Sequence, residues 1–280
     1  MSGAGMLLLS PDGLLLRLVS DASTWNVLLY RSAFTALTMA VILMLRERQD
    51  FSTIFRNFGR AGWISTFLMA ASSLSFVGAI SHTSVANTLV LVATMPFFSA
   101  VLGWILIAEP VKPRTWISIL LALGGIGIIF SGSFGDGNWS GDLMAIATAF
   151  LQGLNLVVIR KAKDRSVTMP ALCLSGIFAA LIVLPFSQPM TVSSPDLMLL
   201  MLMGLFVVPV SLVLFLSGAR YAPAAEIALL ALVETVLGPF WAWLGVGEVP
   251  TINAIIGGAI VIVAVAINAL IGMRNNHHAG

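Results

Sequence analysis

Residues 197–218 read LMLLMLMGLFVVPVSLVLFLSG, twenty-two positions without an Asp, Glu, Lys or Arg. As a helix, at 1.5 Å per residue, this run spans about 33 Å, enough to cross a hydrocarbon core of about 30 Å. In lipid the backbone has no water to bond, so only a helix or a closed barrel can span. A barrel strand alternates apolar and polar residues with period two, and this run does not. The helix is the only reading left.

Comparable runs recur along the chain, at residues 25–45, 62–80, 85–108, 115–131, 142–159, 169–186, 223–246 and 252–273. An earlier stretch, 4–19, is shorter, holds Pro11, Asp12 and Arg17, and counts as a first span broken at Pro11. Breakers separate the runs: 132–141 is rich in Gly, Ser and Asp, and 188–196 holds two prolines. The expectation is an all-α membrane protein of about ten transmembrane helices. Composition agrees, since 59% of the 280 residues are hydrophobic and only 9% charged, whereas a soluble domain carries roughly 25% charge. A mean hydropathy of +1.01 leaves too little polar surface for water.

The net charge of +2 reflects basic residues in short loops, a topology signal and not a nucleic-acid footprint. With the N-terminus inside, Arg46, Arg48, Arg56, Arg60, Lys112, Arg114, Arg160, Lys161, Lys163, Arg165, Arg220 and Arg274 all fall on the cytoplasmic side. Those are twelve of the fourteen Lys and Arg; Arg17 and Arg31 are the exceptions. The expected location is a bacterial inner membrane, multi-pass, with both termini cytoplasmic.

An internal repeat is also legible. An offset of 139 residues lays Phe76 on Phe215, Ala86 on Ala225, Leu91 on Leu230, Trp104 on Trp243 and Glu109 on Glu248. An offset of 143 lays Asp12 on Asn155 and Arg17 on Arg160. Each half would hold five spans, 1–134 and 135–280, and an odd number inserts the second half upside down. Inverted repeats of this kind place substrate at their interface near the bilayer midplane.

The run Met95-Pro96-Phe97-Phe98-Ser99-Ala100-Val101-Leu102-Gly103-Trp104, closed by Glu109, resembles the fourth-span signature of the EamA family in the drug/metabolite transporter superfamily. Residues 234–248, with Trp243 and Gly247 before the closing Glu248, look like its counterpart in the second half. Ser10-Pro11-Asp12-Gly13-Leu14 with Arg17, followed by Arg31, is similar to one subgroup, though the first span looks shorter than the family's. The resemblance covers nearly the whole chain. It implies ten helices around a central cavity, export of amino acids, metabolites or drugs, and no enzymatic cofactor.

Ionisable groups inside a bilayer cost roughly 2.5–3.5 kcal/mol each on insertion scales and usually face a cavity or a partner. The candidates are Asp12, Arg17, Arg31, Glu226 and Glu234. Glu234 lies about eleven residues into its span, near the midplane, with Trp241 about 20° away on the same helical face and Glu226 about 80° away. An acid beside an indole suits a cationic or zwitterionic substrate; the alternative is a carboxylate that only accepts bonds from a neighbouring helix. In the fourth span Asn87, Thr94 and Phe98 share a face, and in the sixth Gln152 and Asn155 form an amide stripe. Such polar groups also glue helices together without transport. Arg31 could pair with Asp12 or snorkel outward. For Glu109 and Glu248 a structural role at helix ends is favoured.

Gly124, Gly125, Gly127, Gly257 and Gly258 fit close helix packing and not a nucleotide loop, since no Walker lysine follows. Pro96, Pro209 and Pro239 fall mid-span, where each removes a backbone bond. Cys173 cannot form an internal disulfide, and the histidines have no ligand-like spacing, so no metal site and no cofactor are expected. The reading is a secondary transporter of a small metabolite by alternating access. The alternatives are a channel or a membrane-embedded enzyme, and no catalytic motif supports the latter. Expected partners are the bilayer and a small-molecule substrate; protons and a second copy of the chain are candidates, and nucleic acid is not. A reporter fused after Gly280 should be active only in the cytoplasm; activity confined to the periplasm would sink the ten-span topology.

Overall fold

The computed structural model describes residues 2–47, 58–82, 85–131, 139–162, 168–188, 191–218, 221–247 and 252–277. Among them every regular element is helical: α1 (Ser2–Leu9), α2 (Asp12–Leu18), α3 (Thr24–Glu47), α4 (Gly59–His82), α5 (Val85–Val92), α6 (Met95–Ile107), α7 (Pro113–Ser131), α8 (Trp139–Ala162), α9 (Thr168–Val183), α10 (Ser194–Leu202), α11 (Val208–Gly218), α12 (Ala224–Val246) and α13 (Ile252–His277). Glu248, Arg48, Arg56, Lys163, Arg165, Arg220 and His278 lie outside the described residues, as do the side chains of Arg46, Asn87, Arg274 and His277.

Among the described residues six stretches are long and apolar enough to cross a membrane: Thr24–Leu45, Gly59–His82, Trp139–Ala162, Thr168–Phe186, Ser194–Gly218 and Ala224–Gly245. Shorter apolar helices accompany them at Met95–Ile107, Pro113–Ile128 and Ile255–Asn268. Their outer faces carry large apolar side chains in the open, among them Leu45, Trp104, Leu120 and Ile262. Apolar exposure on that scale suits lipid and not water. The chain is a multi-pass helical membrane protein.

Three of the apolar stretches are interrupted. The first breaks at Ser10–Pro11, between α1 and α2. The fourth breaks at Ala93–Thr94, just ahead of Pro96, which has no N–H to carry the helical bonding through. In the eighth, a π turn at Met203–Val207 precedes Pro209, a wide turn that suits the loss of one backbone donor. Pro239 interrupts nothing visible, since α12 runs through it.

Contacts between helices fall in matched sets. α4 packs on α8 as α11 packs on α1; α6 meets α8 as α12 meets α1; α3 meets α9, α6 meets α12 and α7 meets α13. α6 ends at Ala108 (φ 50°) and α12 at Gly247 (φ 74°), both left-handed and 139 residues apart. Several of these contacts depend on glycine. A Cβ at Gly125 would lie 2.7 Å from the Gly257 carbonyl across the α7–α13 contact, and one at Gly176 would lie 2.7 Å from that of Ser32 across α9–α3. Without a hydrophobic force between helices in lipid, such close backbone approach supplies much of the attraction.

Gly124 and Gly127 have open space where a Cβ would go. Gly125→Leu should therefore cut the folded yield severalfold, whereas Gly124→Leu and Gly127→Leu should leave it near wild type, measured by fluorescence-detected size exclusion.

Candidate functional site

Only a buried polar group with a strong partner is tolerable at membrane depth, so the ionisable residues locate the site. Arg31, on α3, donates from Nη2 to Asp12 Oδ2 at 2.7 Å. Its guanidinium also sits over the Phe76 ring, 5.9 Å from the centroid. Asp12 is 1% exposed and Arg31 8%. Asp12 Oδ1 and Arg31 Nε have no hydrogen-bond partner among the described residues. Asp12 is held here because the Ser10–Pro11 break makes it the first residue of α2.

The pair lines an internal cavity of about 140 Å³. Asp12, Arg31, Gln152, Asn155 and Glu234 all belong to its wall, together with hydroxyls the sequence did not single out: Ser32, Thr35, Ser72, Ser73, Ser175 and Thr235. Small hydroxyls are frequent in membrane helices as packing groups, so nothing in their spacing marked them. Asp12 and Arg31 are the charged neighbours of Glu234. Asn155 Oδ1 accepts from Ser65 Oγ at 2.6 Å, which fixes the amide and links α4 to α8. Apolar surface completes the wall, from Met6, Leu9, Met95 and Phe215 among others. Among the described residues α7 and α13 contribute nothing to it. The chamber therefore combines one cation, two carboxylates, amides and hydroxyls inside an apolar shell, which is the composition of a small-molecule site.

The remaining candidates lie elsewhere. Trp241 Nε1 donates to Ser10 Oγ at 2.8 Å, and Ser10 Oγ donates to the Leu7 carbonyl at 2.7 Å. The indole braces the break in the first stretch and is not part of the cavity wall. Glu226 accepts from Arg114 Nη2 at 3.0 Å and lies 3.9 Å from Lys112 Nζ, tying the starts of α7 and α12 together. Thr94 Oγ1 donates to Leu91 O at the α5–α6 interruption. Phe98 stacks edge-on with Phe97 and Phe150. The Asn87 side chain is outside the described residues.

Polar contacts tie helices together toward both ends of the bundle. At one end the Asp196 carboxylate accepts the backbone N–H groups of Ser20, Asp21 and Ala22 at 2.9–3.3 Å. Asn26 there exchanges bonds with the Gln188 backbone, and Thr24 donates to Ser81. At the other end Arg160 pairs with Glu109 at 3.0 Å. Cys173 is fully buried and free, its thiol 3.6 Å from the Ala36 carbonyl. Among the described residues no cluster of His, Cys, Asp or Glu could hold a metal.

A multi-pass helical bundle around a polar internal chamber is the build of a membrane transporter. The profile of the EamA-like transporter family matches residues 14–131 and again 139–270, and the chain belongs to that family. It is 26% identical over 214 residues to an uncharacterized transporter of Clostridium kluyveri, covering 71% of this chain and 68% of that one. It is 25% identical over 183 residues to the uncharacterized transporter YdfC of Bacillus subtilis, covering 61% of this chain and 58% of that protein's length. A solved crystal structure superposes with a TM-score of 0.81 over 96% of both chains at 14% identity, which speaks for the fold alone.

Arg31→Ala leaves a buried carboxylate uncompensated, a loss of about 3–5 kcal/mol. Its folded yield should fall sharply, and Asp12→Ala in the same chain should restore part of it. Fully additive losses would mean that the two charges do not depend on each other.

Proposed function

We propose that the chain is a secondary transporter that carries a small metabolite, an amino acid or related compound, through the central cavity by alternating access. The observation that carries this reading is a partly open chamber inside the bundle, mainly apolar but set with charged, amide and hydroxyl groups, and walled by helices from both halves of the chain. A family profile that aligns twice, matched helix contacts and the paired left-handed ends at Ala108 and Gly247 support two inverted five-helix repeats, ten spans in all. The basic residues support an N-in, C-in orientation in a bacterial inner membrane, with export the expected direction.

The polar clamps at both ends favour a carrier over a channel. A channel needs a continuous path, whereas here Asp196 fastens the α2–α3 connection at one end and Glu109–Arg160 joins α6 to α8 at the other. In an alternating cycle one set opens while the other holds. Each set is a few hydrogen bonds, worth about 0.5–1.5 kcal/mol apiece, weak enough for substrate binding to shift the balance.

Purified protein in liposomes, loaded with amino acids and small metabolites, should show saturable counterflow for at least one solute. Flux that never saturates and shows no counterflow would identify a channel instead. Glu234→Gln keeps size and hydrogen bonding but removes the charge and the titration. It is expected to fold normally and to lose most counterflow, or to lose any dependence on an imposed pH gradient. Wild-type rates with an unchanged pH profile would move the substrate away from Glu234, toward the Asn155 side of the chamber.

A further inference from the structure

A serine or threonine within a helix commonly turns its hydroxyl back onto a carbonyl of the preceding turn. Thr35, Ser81, Thr148 and Ser175 all do so here, at 2.8–2.9 Å. Ser72 and Ser73 do not: both line the chamber, and neither makes a hydrogen bond within the described residues. Gln152 lines it in the same condition. The Asn155 oxygen is held by Ser65, while its Nδ2 has no acceptor among the described residues. None of these atoms is sealed in packing. Asp12 Oδ1 and Arg31 Nε, by contrast, are unmet but closed off from the cavity space.

The four groups share one wall. α4 and α8 run antiparallel against each other: Ser65 meets Asn155 at 2.6 Å, and a Cβ on Gly78 would lie 2.9 Å from Met144 Sδ. Those two contacts set Gln152 level with Met69, so Ser72 and Ser73 come about one turn, about 5 Å, further along the axis. On α4 the wall residues Met69, Ser72, Ser73 and Phe76 fall on a single helical face. The charged groups of the wall, Asp12, Arg31 and Glu234, come from α2, α3 and α12, and α4 and α8 add none. Charge and neutral hydrogen-bonding capacity are thus carried by different helices.

We propose that Ser72, Ser73, Gln152 and Asn155 form a subsite for an uncharged primary carboxamide on the substrate. The inference rests on the reading of the chamber as the transport site and names a group that the site selects. Hydroxyls and amides both donate and accept, and a carboxamide does the same. Its carbonyl takes the Asn155 Nδ2 donors, and its two N–H groups meet the Gln152 and serine oxygens. A carboxylate on this wall would give up hydration without meeting a cation. An alkyl end would leave the amides and hydroxyls unmet. Each net hydrogen bond is worth roughly two- to tenfold in affinity, so several together favour the carboxamide by tenfold or more.

The test uses the full chain in lipid nanodiscs and calorimetric titration with L-glutamine, L-glutamate and L-norleucine, which differ only at the side-chain end. Pentanamide and pentanoate repeat the comparison without the amino-acid head. At least one of the two amides should bind saturably, tenfold or more tightly than its counterparts that lack the amide. Gln152→Leu should lower that affinity toward the level of the methyl or carboxylate analogue, with normal folded yield. Ser72→Ala with Ser73→Ala should do likewise, and carries the test should the leucine variant misfold. Ser217→Ala, whose hydroxyl already donates to Leu214 O, should leave the preference intact. Equal binding of amide and carboxylate, no binding of either amide, or an intact preference in a folded Gln152→Leu chain or double serine variant would each overturn the subsite. Counterflow of some solute by protein without the amide preference would remove the subsite and leave the carrier standing. Amide-selective binding without counterflow of any solute would do the reverse.

Discussion

Hydrocarbon offers neither donor nor acceptor, so every backbone amide and every charge at membrane depth must find its partner within the chain. That requirement makes the elements helical, and it governs each place where a helix is broken. Ser10 serves the carbonyl that Pro11 strands, and Trp241 in turn donates to Ser10, so α12 helps to hold the first stretch in its broken form. Thr38 does the same service for Leu205 from a neighbouring helix.

The charges obey the same rule at greater cost. Arg31 lies over the Phe76 ring and against Asp12, and each has an atom without a partner among the described residues. Such a pair adds little to stability as a unit, yet removing either member exposes the full desolvation penalty of the other. It therefore constrains how α2, α3 and α4 can sit around the chamber. Glu234, next to Thr235 whose hydroxyl donates to Leu89 O, lines the same space. The chamber is thus polar on one side of its charge balance.

The two halves supply a common scaffold and different chemistry. Ala108 and Gly247 end their helices in the same left-handed conformation, yet an offset of 143 sets Asp12 against Asn155, a charge against an amide. Asn155 is fastened by Ser65, while Asp12 is fastened by Arg31. The helix contacts match while the side chains at these positions differ. The polar contacts at the two ends differ too: at one a carboxylate gathers backbone N–H groups, and at the other two side chains pair directly.

Hydropathy and residue spacing alone determined that the chain is helical, that it lies in a membrane, and where most of its apolar stretches run, because solvent transfer acts on each segment independently. The same local rules marked Asp12, Arg31 and Glu234, since an ionisable group in an apolar run is conspicuous whatever surrounds it. Position on a helix gave angles but not neighbours. Glu234 and Trp241 share a face to within about 20°, yet seven residues separate them by about 10.5 Å along the axis, and the indole reaches Ser10 instead of the chamber. Glu226, about 12 Å from Glu234 in the other direction, meets Arg114 and Lys112 at a helix end. Which polar groups share one cavity depends on how helices distant in sequence cross, and that is set by glycine contacts such as Gly125–Gly257 and Gly176–Ser32. Close approach between two backbones is a property of the pair, so only the folded bundle could decide it.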